Sequence, residues 1–133
     1  MDYFHLKFLK YLNILNNLNL IIIVPARKGS QRIPFKNRIL FEGKNLVERA
    51  LTSGEKIAQI LGCKYKLVLT TNDEYFLENI TNFQNLIKIK RPNNLCKDNS
   101  RMVDVISHTL NKYGDDSSLV VLLQPSTPFR DPE

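Results

Sequence analysis

Four short apolar runs, separated by polar or amphipathic stretches, are the feature that most limits the folds open to this chain. They are Leu20–Val24, Tyr65–Thr71, Leu86–Lys90 and Ser118–Gln124. The first and last are continuously apolar over most of their length and rich in branched residues, without the polar–apolar alternation of a strand that faces water on one side. Such runs predict strands that are buried on both faces of a sheet.

Helical patterns lie between these predicted strands. Apolar residues recur at helical spacing in 45–61 and again in 99–113, where Asp98 or Asn99 is expected to cap the helix. A shorter helix is expected after Asn72, which is placed to cap it. The alternation of strand and helix predicts an α/β fold with a mostly parallel sheet and helices on both faces. In such sheets ligands bind beyond the carboxyl ends of the strands.

The segment VPARKGSQRIPFKN follows the first predicted strand and carries most of the excess charge of the chain. Between Arg27 and Arg38 it holds five basic residues and no acidic residue. The formal net charge is +6, and residues 1–41, with seven Lys or Arg and one acid, account for all of it, since residues 42–133 hold twelve of each sign. Charge focused in this way predicts a local anion site rather than the broad basic surface of a nucleic-acid-binding protein.

The side chains of this segment suit phosphate oxygens. Gly29 allows the backbone to approach a ligand closely, and Ser30 offers a hydroxyl hydrogen bond. Arg27, Arg32 and Lys36 supply charge-assisted donors. The segment is not a P-loop, because the GxxxxGK[ST] pattern is absent. A solvated surface loop is the alternative interpretation.

Other features of the sequence narrow the class of protein. At 133 residues the chain forms one domain at most. Cys63 and Cys96 have no CxxC partner, which predicts neither zinc nor a redox pair. The first twenty residues contain Lys7 and Lys10 and are too short and polar to span a bilayer. We expect residues 1–18 to form a dispensable N-terminal extension, and the protein to be cytoplasmic, without a membrane partner.

Five segments in order carry a resemblance to a known family. They are IIVPARKGSQRIPFKN, FEGKNLVERAL, VLTTNDEYF, RPNNLCKDNSRMVDVISHTL and VVLLQPSTPFR, which together cover roughly residues 20–131. In this order they closely resemble the acylneuraminate cytidylyltransferase family, the CMP-sialic acid synthetases and their relatives. The Kdo cytidylyltransferases are the nearest rivals. Gly29 and Asn37 favour the sialic-acid branch, because the rival loop usually lacks that glycine and has proline after the lysine.

The resemblance implies a fold and a reaction. The fold is a Rossmann-like nucleotide-diphospho-sugar transferase fold, with residues 19–133 as its nucleotide-binding part. The reaction is attack of the anomeric hydroxyl of a sialic-acid-like nonulosonic acid on the α-phosphorus of CTP, which gives the CMP-sugar and pyrophosphate with Mg²⁺. The product would serve CMP-sialic acid and cell-surface carbohydrate biosynthesis.

The resemblance also implies roles for individual residues. Arg27 and Lys36 match the family's triphosphate-binding cations and are the candidate catalytic residues, and Ser30 would help to hold the phosphates. The positions expected to bind cytosine and ribose are Asn37, Arg91, Ser100 and Gln124. Lys28 and Arg38 lie outside the matched positions and are expected to matter less.

Several of these residues have a structural alternative. Arg91 could simply end a strand, and Ser100 could cap a helix. His108 falls on the polar face of its predicted helix and is expected to be solvated.

The chain also departs from the family pattern. Gln31 stands where many members have lysine, and Asn72 replaces the first aspartate of an S-T-D-D segment. Family members continue beyond the fourth strand into a second half that carries the acidic metal ligands, most of the sugar pocket and the dimerisation segment. We therefore expect a truncated form of the fold, without the Mg²⁺ ligands and without turnover of its own. A non-catalytic nucleotide-binding remnant, or one half of a split enzyme, is the alternative function.

Overall fold

A four-stranded parallel sheet forms the centre of the protein. The computed structural model describes residues 2–29, 36–115 and 118–125. The strands are β1 (Asn19–Pro25), β2 (Leu40–Phe41), β3 (Lys44–Asn45), β4 (Lys64–Thr71), β5 (Leu86–Lys90) and β6 (Ser118–Leu122). The helices are α1 (Tyr3–Asn16), α2 (Leu46–Leu61), α3 (Glu74–Asn79) and α4 (Met102–Tyr113). The sheet order is β5-β4-β1-β6, with every pair parallel, while β2 and β3 form a small antiparallel hairpin.

Both faces of this sheet are covered, as the apolar runs predict. The side chains of Leu20, Ile22 and Val24 point to one face, where they pack in a buried cluster with residues of α2 and α3. Ile21 and Ile23 point to the other face and pack with residues of β4, β5, β6 and α4. Because alternate side chains of β1 enter two different cores, the strand is apolar from Leu20 onward, and its one polar residue, Asn19, lies at its half-buried start. The predicted α/β fold class is confirmed.

Helix α2 begins at a capping box. The Asn45 side chain accepts a hydrogen bond from the Glu48 backbone N–H at 2.8 Å. The Glu48 side chain in turn accepts one from the Asn45 backbone N–H, which completes the box. These reciprocal hydrogen bonds fix the start of the helix directly after β3.

The expected cap of α3 is wrong by one residue. The Asp73 side chain, not that of Asn72, accepts from the backbone N–H of Tyr75 at 3.1 Å. The Asn72 side chain instead accepts from the backbone N–H of Lys28 at 2.6 Å. Both residues can cap a helix, and this contact with the basic segment decides which of them does so.

The expected start of α4 is also wrong. The helix begins after Arg101, which has no side-chain cap hydrogen bond, rather than after Asp98 or Asn99. Residues 97–100 form a turn in which the Ser100 hydroxyl oxygen accepts from the Lys97 backbone N–H at 2.9 Å. This local side-chain bond competes with helix formation and delays the first helical turn.

His108 on α4 is half-buried rather than solvated. Its Nδ1 atom is buried and has no hydrogen-bond partner among the described residues. Burial lowers the pKa of His108 below its ordinary value, and the positive charges of Lys112 and Arg91 lower it further. The imidazole is therefore biased toward its neutral form.

Helix α1 lies apart from the two cores. Among the side chains of α1 that the structure describes, the large apolar ones are exposed, to as much as 80% for Phe4. Among the described residues, no helix has the length and apolar character needed to cross a bilayer. The division into an extension, 1–18, and a nucleotide-binding part, 19–133, stays a prediction.

Candidate functional site

A cleft at the carboxyl edge of the sheet brings together four of the seven predicted site residues. It is lined by Pro25, Arg27, Asn37, Arg91, Met102, Gln124 and Pro125. These residues lie at or just after the ends of β1, β5 and β6, in the 3-10 turn Lys36–Arg38, or at the start of α4, at the edge where parallel sheets bind ligands. Its volume, about 170 Å³, is below the roughly 300–1,000 Å³ of whole ligand sites. The cleft enclosed by the described residues is therefore smaller than a typical whole ligand site.

Arg91 is the most deeply placed of these side chains. The residue is only 4% exposed, and its guanidinium donates to the carbonyl oxygens of Thr70 at 3.0 Å and of Leu95 at 3.4 Å. Within the described ranges no carboxylate lies in ion-pair distance of it. Burial lowers the pKa of Arg91, although arginine stays charged at neutral pH. Among the described residues the cleft thus holds a buried cation without a counter-anion, an arrangement that favours an anionic ligand.

Arg27 brings a second guanidinium to the same cleft. Its side chain is 36% exposed, and Nη1 lies 2.6 Å from Oδ1 of Asp98. Its charge contributes to the lowered pKa of Arg91, so the two guanidinium groups repel each other. The Asn37 side-chain amide donates to the Arg27 carbonyl oxygen at 3.4 Å, which ties the two ends of the basic segment together. Bringing an anion between the two cations would relieve their repulsion.

The end of β4 fixes the start of the basic segment. The backbone N–H of Ala26 donates to the Thr70 carbonyl oxygen at 3.0 Å. The Thr71 hydroxyl donates to the Ala26 carbonyl oxygen, and Asn72 accepts from Lys28 as described above. Three successive residues at and just after the end of β4, Thr70, Thr71 and Asn72, therefore hold the backbone on either side of Arg27 in place. These contacts explain how a side chain in a loop comes to line the cleft.

An ion pair between Arg38 and Asp73 was missed by sequence reasoning. Arg38 Nε donates to Asp73 Oδ2 at 3.1 Å and Nη2 to Oδ1 at 2.5 Å, in a two-point contact. The guanidinium carbon also lies 4.6 Å from the ring centre of Tyr75. Asp73 is 3% exposed, and its hydrogen bond raises the pKa of Arg38. The pair anchors the 3-10 turn Lys36–Arg38, which presents Asn37 to the cleft.

The other predicted site residues lie outside this cleft or outside the described residues. Ser100 is engaged in its own turn, where its hydroxyl also donates to the Asn94 carbonyl oxygen at 3.4 Å. Lys36 begins the 3-10 turn, is half-buried and is not among the lining residues. Ser30 and Arg32 lie in 30–35, outside the described ranges. The roles given to these residues stay predictions.

The described residues do not offer a Mg²⁺ site. In the ranges that the structure covers, no group of three or more His, Cys, Asp or Glu side chains is placed to hold a metal ion. Two carboxylates that contact the basic segment, Asp73 and Asp98, are each paired with an arginine. Mg²⁺ needs free oxygen ligands, so these residues as placed do not fit it.

A second cavity lies at the opposite edge of the sheet. Its volume is about 200 Å³, and it is lined by Asn19, Leu20, Ile21, Lys64, Tyr65, Lys66, Asp115 and Ser118. Lys66 is already engaged, because its ammonium group donates to the Tyr113 carbonyl oxygen at 3.0 Å. None of the predicted site residues lines this cavity.

Comparison with known families decides the class of the protein. Residues 21–133 match the family described as Cytidylyltransferase. The chain belongs to the cytidylyltransferase family. The match begins at Ile21, the third residue of β1, after α1, and includes the segments that line the cleft. The predicted membership is therefore confirmed, and the family is one of nucleotidyltransferases.

Curated relatives of this cytidylyltransferase include a synthase and a cytidylyltransferase named for different sugar acids. The chain is 28% identical over 121 residues to a CMP-N,N'-diacetyllegionaminic acid synthase of Legionella pneumophila, covering 87% of this chain and 50% of that protein. It is 30% identical over 112 residues to an N-acylneuraminate cytidylyltransferase of Escherichia coli O18:K1:H7, covering 84% of this chain and 25% of that protein. The chain thus spans half or less of the length of these relatives.

A solved structure supports the fold of this cytidylyltransferase. The structure of a CMP:2-keto-3-deoxy-manno-octonic acid synthetase complexed with CTP matches with a TM-score of 0.63 at 19% identity. The match covers 86% of this chain and 43% of that one. At this identity the likeness shows the fold alone, and it confirms the nucleotide-diphospho-sugar transferase type predicted from the sequence.

Proposed function

We propose that this chain is the CTP-binding part of an enzyme that transfers CMP from CTP to a sialic-acid-like nonulosonic acid. The observation that carries the proposal is the cleft, in which Arg27 and Arg91 meet beside the side-chain amides of Asn37 and Gln124. Guanidinium groups suit phosphate oxygens. Amides offer both a donor and an acceptor, as recognition of a base edge requires.

The chemistry proposed for this site is electrostatic. The anomeric hydroxyl of the sugar acid attacks the α-phosphorus of CTP, the bond to the bridging oxygen of pyrophosphate breaks, and the hydroxyl proton is lost. Arg27 and Lys36 would stabilise negative charge on the phosphates and on the departing pyrophosphate. Arg91, which cannot move freely because it is buried and hydrogen-bonded, would hold the nucleotide in place.

The sugar class rests on the relatives and on two residues of the basic segment. The names of two curated relatives specify diacetyllegionaminic acid and N-acylneuraminate. A third, from Desulfatibacillum aliphaticivorans, is a 3-deoxy-manno-octulosonate cytidylyltransferase, 27% identical over 116 residues. Gly29 and Asn37 favour the nonulosonic branch. The use of Mg²⁺, a cytoplasmic location and a homodimeric full-length form are carried as predictions from the family resemblance.

Calorimetric titration with nucleotides tests the proposal. We expect CTP to bind at least about tenfold more tightly than UTP or ATP, because the amides would select the cytosine edge. CMP should bind more weakly than CTP, since it lacks the outer phosphates. Equal affinity for all three triphosphates would contradict a cytidylyltransferase site. Strongly salt-dependent RNA binding without nucleotide preference would favour a nucleic-acid-binding protein instead.

A further inference from the structure

The ion pair between Arg27 and Asp98 spans two segments that meet at the cleft. Arg27 follows β1, and Asp98 belongs to the turn between β5 and α4. Nη1 and Oδ1 are 2.6 Å apart, and the side chains are 36% and 51% exposed. An anionic protein group thus contacts one of the two guanidiniums that the proposed function assigns to nucleotide phosphates.

We propose that Asp98 is a displaceable counter-ion, which neutralises Arg27 in the free protein and is replaced by a phosphate when a ligand binds. The identity of the ligand rests on the proposed function, whereas the displacement of the carboxylate by a phosphate rests on the observed ion pair. The displaced carboxylate would leave the turn 97–100 without its link to Arg27.

The exposure of the pair makes this exchange favourable. Ion pairs accessible to water contribute little to stability, because both groups are well solvated when apart. A phosphate carries more charge and more acceptor oxygens than a carboxylate, so it makes stronger hydrogen bonds to a guanidinium. Arg91 further favours the phosphate over the Asp98 carboxylate. A phosphate in the cleft would contact the guanidinium groups of both Arg27 and Arg91, whereas Asp98 lies in ion-pair distance of Arg27 and not of Arg91.

Displacement of Asp98 by a phosphate would also affect the position of Ser100. This residue closes the turn through hydrogen bonds with Lys97 and Asn94, and it is a predicted nucleotide-binding residue that does not line the cleft in this structure. Release of Asp98 would free the turn to move Ser100 toward the ligand. Asp98 is thus a positioning residue that acts through Arg27 and the turn.

The test compares Asp98→Asn with a matched variant, Asp104→Asn. Asp104 pairs with Arg101 at 3.0 Å and is also exposed, but neither residue lines the cleft. Affinity for CTP and for pyrophosphate is measured by calorimetry at fixed salt. We expect Asp98→Asn to bind both ligands about threefold to fivefold more tightly than the unmodified chain, which corresponds to loss of one exposed competing pair. Asp104→Asn should be unchanged, and the melting temperatures of all three proteins should agree.

A double substitution identifies the route of the effect. In an Arg27→Ala background, Asp98→Asn should no longer raise the affinity for CTP or pyrophosphate, because the guanidinium for which Asp98 and the phosphate compete is absent. A gain that persists there would mean that Asp98 acts as a general repulsive charge, and would overturn the proposal.

The remaining outcomes separate this inference from the proposed function. Weaker binding by Asp98→Asn would show that Asp98 holds Arg27 in its binding position, and unchanged binding would show no competition; both overturn the inference while CTP selectivity stands. Tighter pyrophosphate binding without preference for CTP would support the exchange and reject the proposed nucleotide. No binding of either ligand to any variant would overturn both.

Discussion

Replacing Arg38 with alanine is expected to lower the free energy of unfolding by about 2–3 kcal/mol. The substitution removes a two-point ion pair and leaves Asp73, which is 3% exposed, as a buried carboxylate without its cation. The 3-10 turn Lys36–Arg38 would lose its anchor, and Asn37 with it. Chemical denaturation followed by circular dichroism measures the change.

Lys28→Ala is the matched control for Arg38→Ala. Lys28 is an exposed cation of the same segment, and its hydrogen bond to Asn72 uses the backbone N–H, which alanine keeps. Its removal should change stability by less than about 0.5 kcal/mol. Equal effects of the two substitutions would show that Arg38 acts only as part of a positive field, and the anchoring role would be rejected.

The second large effect is expected at Arg91. Replacement with methionine keeps most of the side-chain volume and removes the charge, so CTP affinity should fall by about ten- to a hundredfold, the value of one charge-assisted contact. Stability should change by no more than about 1 kcal/mol, because removing a buried charge also removes its desolvation penalty. The Thr70 carbonyl oxygen would still accept from the Ala26 N–H. Calorimetry and denaturation on the same preparation measure both quantities.

Arg101→Met is the control for this substitution. Arg101 is an exposed arginine ten residues further along the chain, paired with Asp104 and absent from the cleft lining. The Arg101→Met substitution should leave CTP affinity unchanged. Retained affinity in Arg91→Met would remove Arg91 from the site, and a large loss of stability with retained affinity would make it a purely structural residue.

The sheet could be predicted from the sequence because burial on both faces leaves a local pattern. The run Leu86–Lys90 matches β5 at both ends, and Leu20–Val24 lies within β1 with one further residue on each side. The expectation of a ligand site at the carboxyl edge came from the same pattern, since ligands of parallel sheets bind there, and the cleft lies at that edge. The roles of the site residues came from the family resemblance rather than from spacing.

Contacts between distant residues could not be predicted in this way. Arg38 and Asp73 are 35 positions apart, and nothing in either local sequence shows that they meet. The cap of α3 was misplaced for a related reason, because Asn72 and Asp73 are both good caps and only the contact with Lys28 distinguishes them. The pairing of Asp98 with Arg27 likewise appears only once the fold joins the ends of β1 and β5.

The proposed function requires the cleft at the carboxyl edge of the sheet to bind CTP. Titration of the ¹⁵N-labelled chain with CTP, followed by NMR of backbone and arginine side-chain resonances, locates the binding residue by residue. We expect saturable shifts at Arg27, Asn37, Arg91 and Gln124, and none at Lys64 in the cavity at the opposite edge. Shifts confined to the opposite cavity, or no saturable shift at any residue of the cleft, would contradict the proposed function.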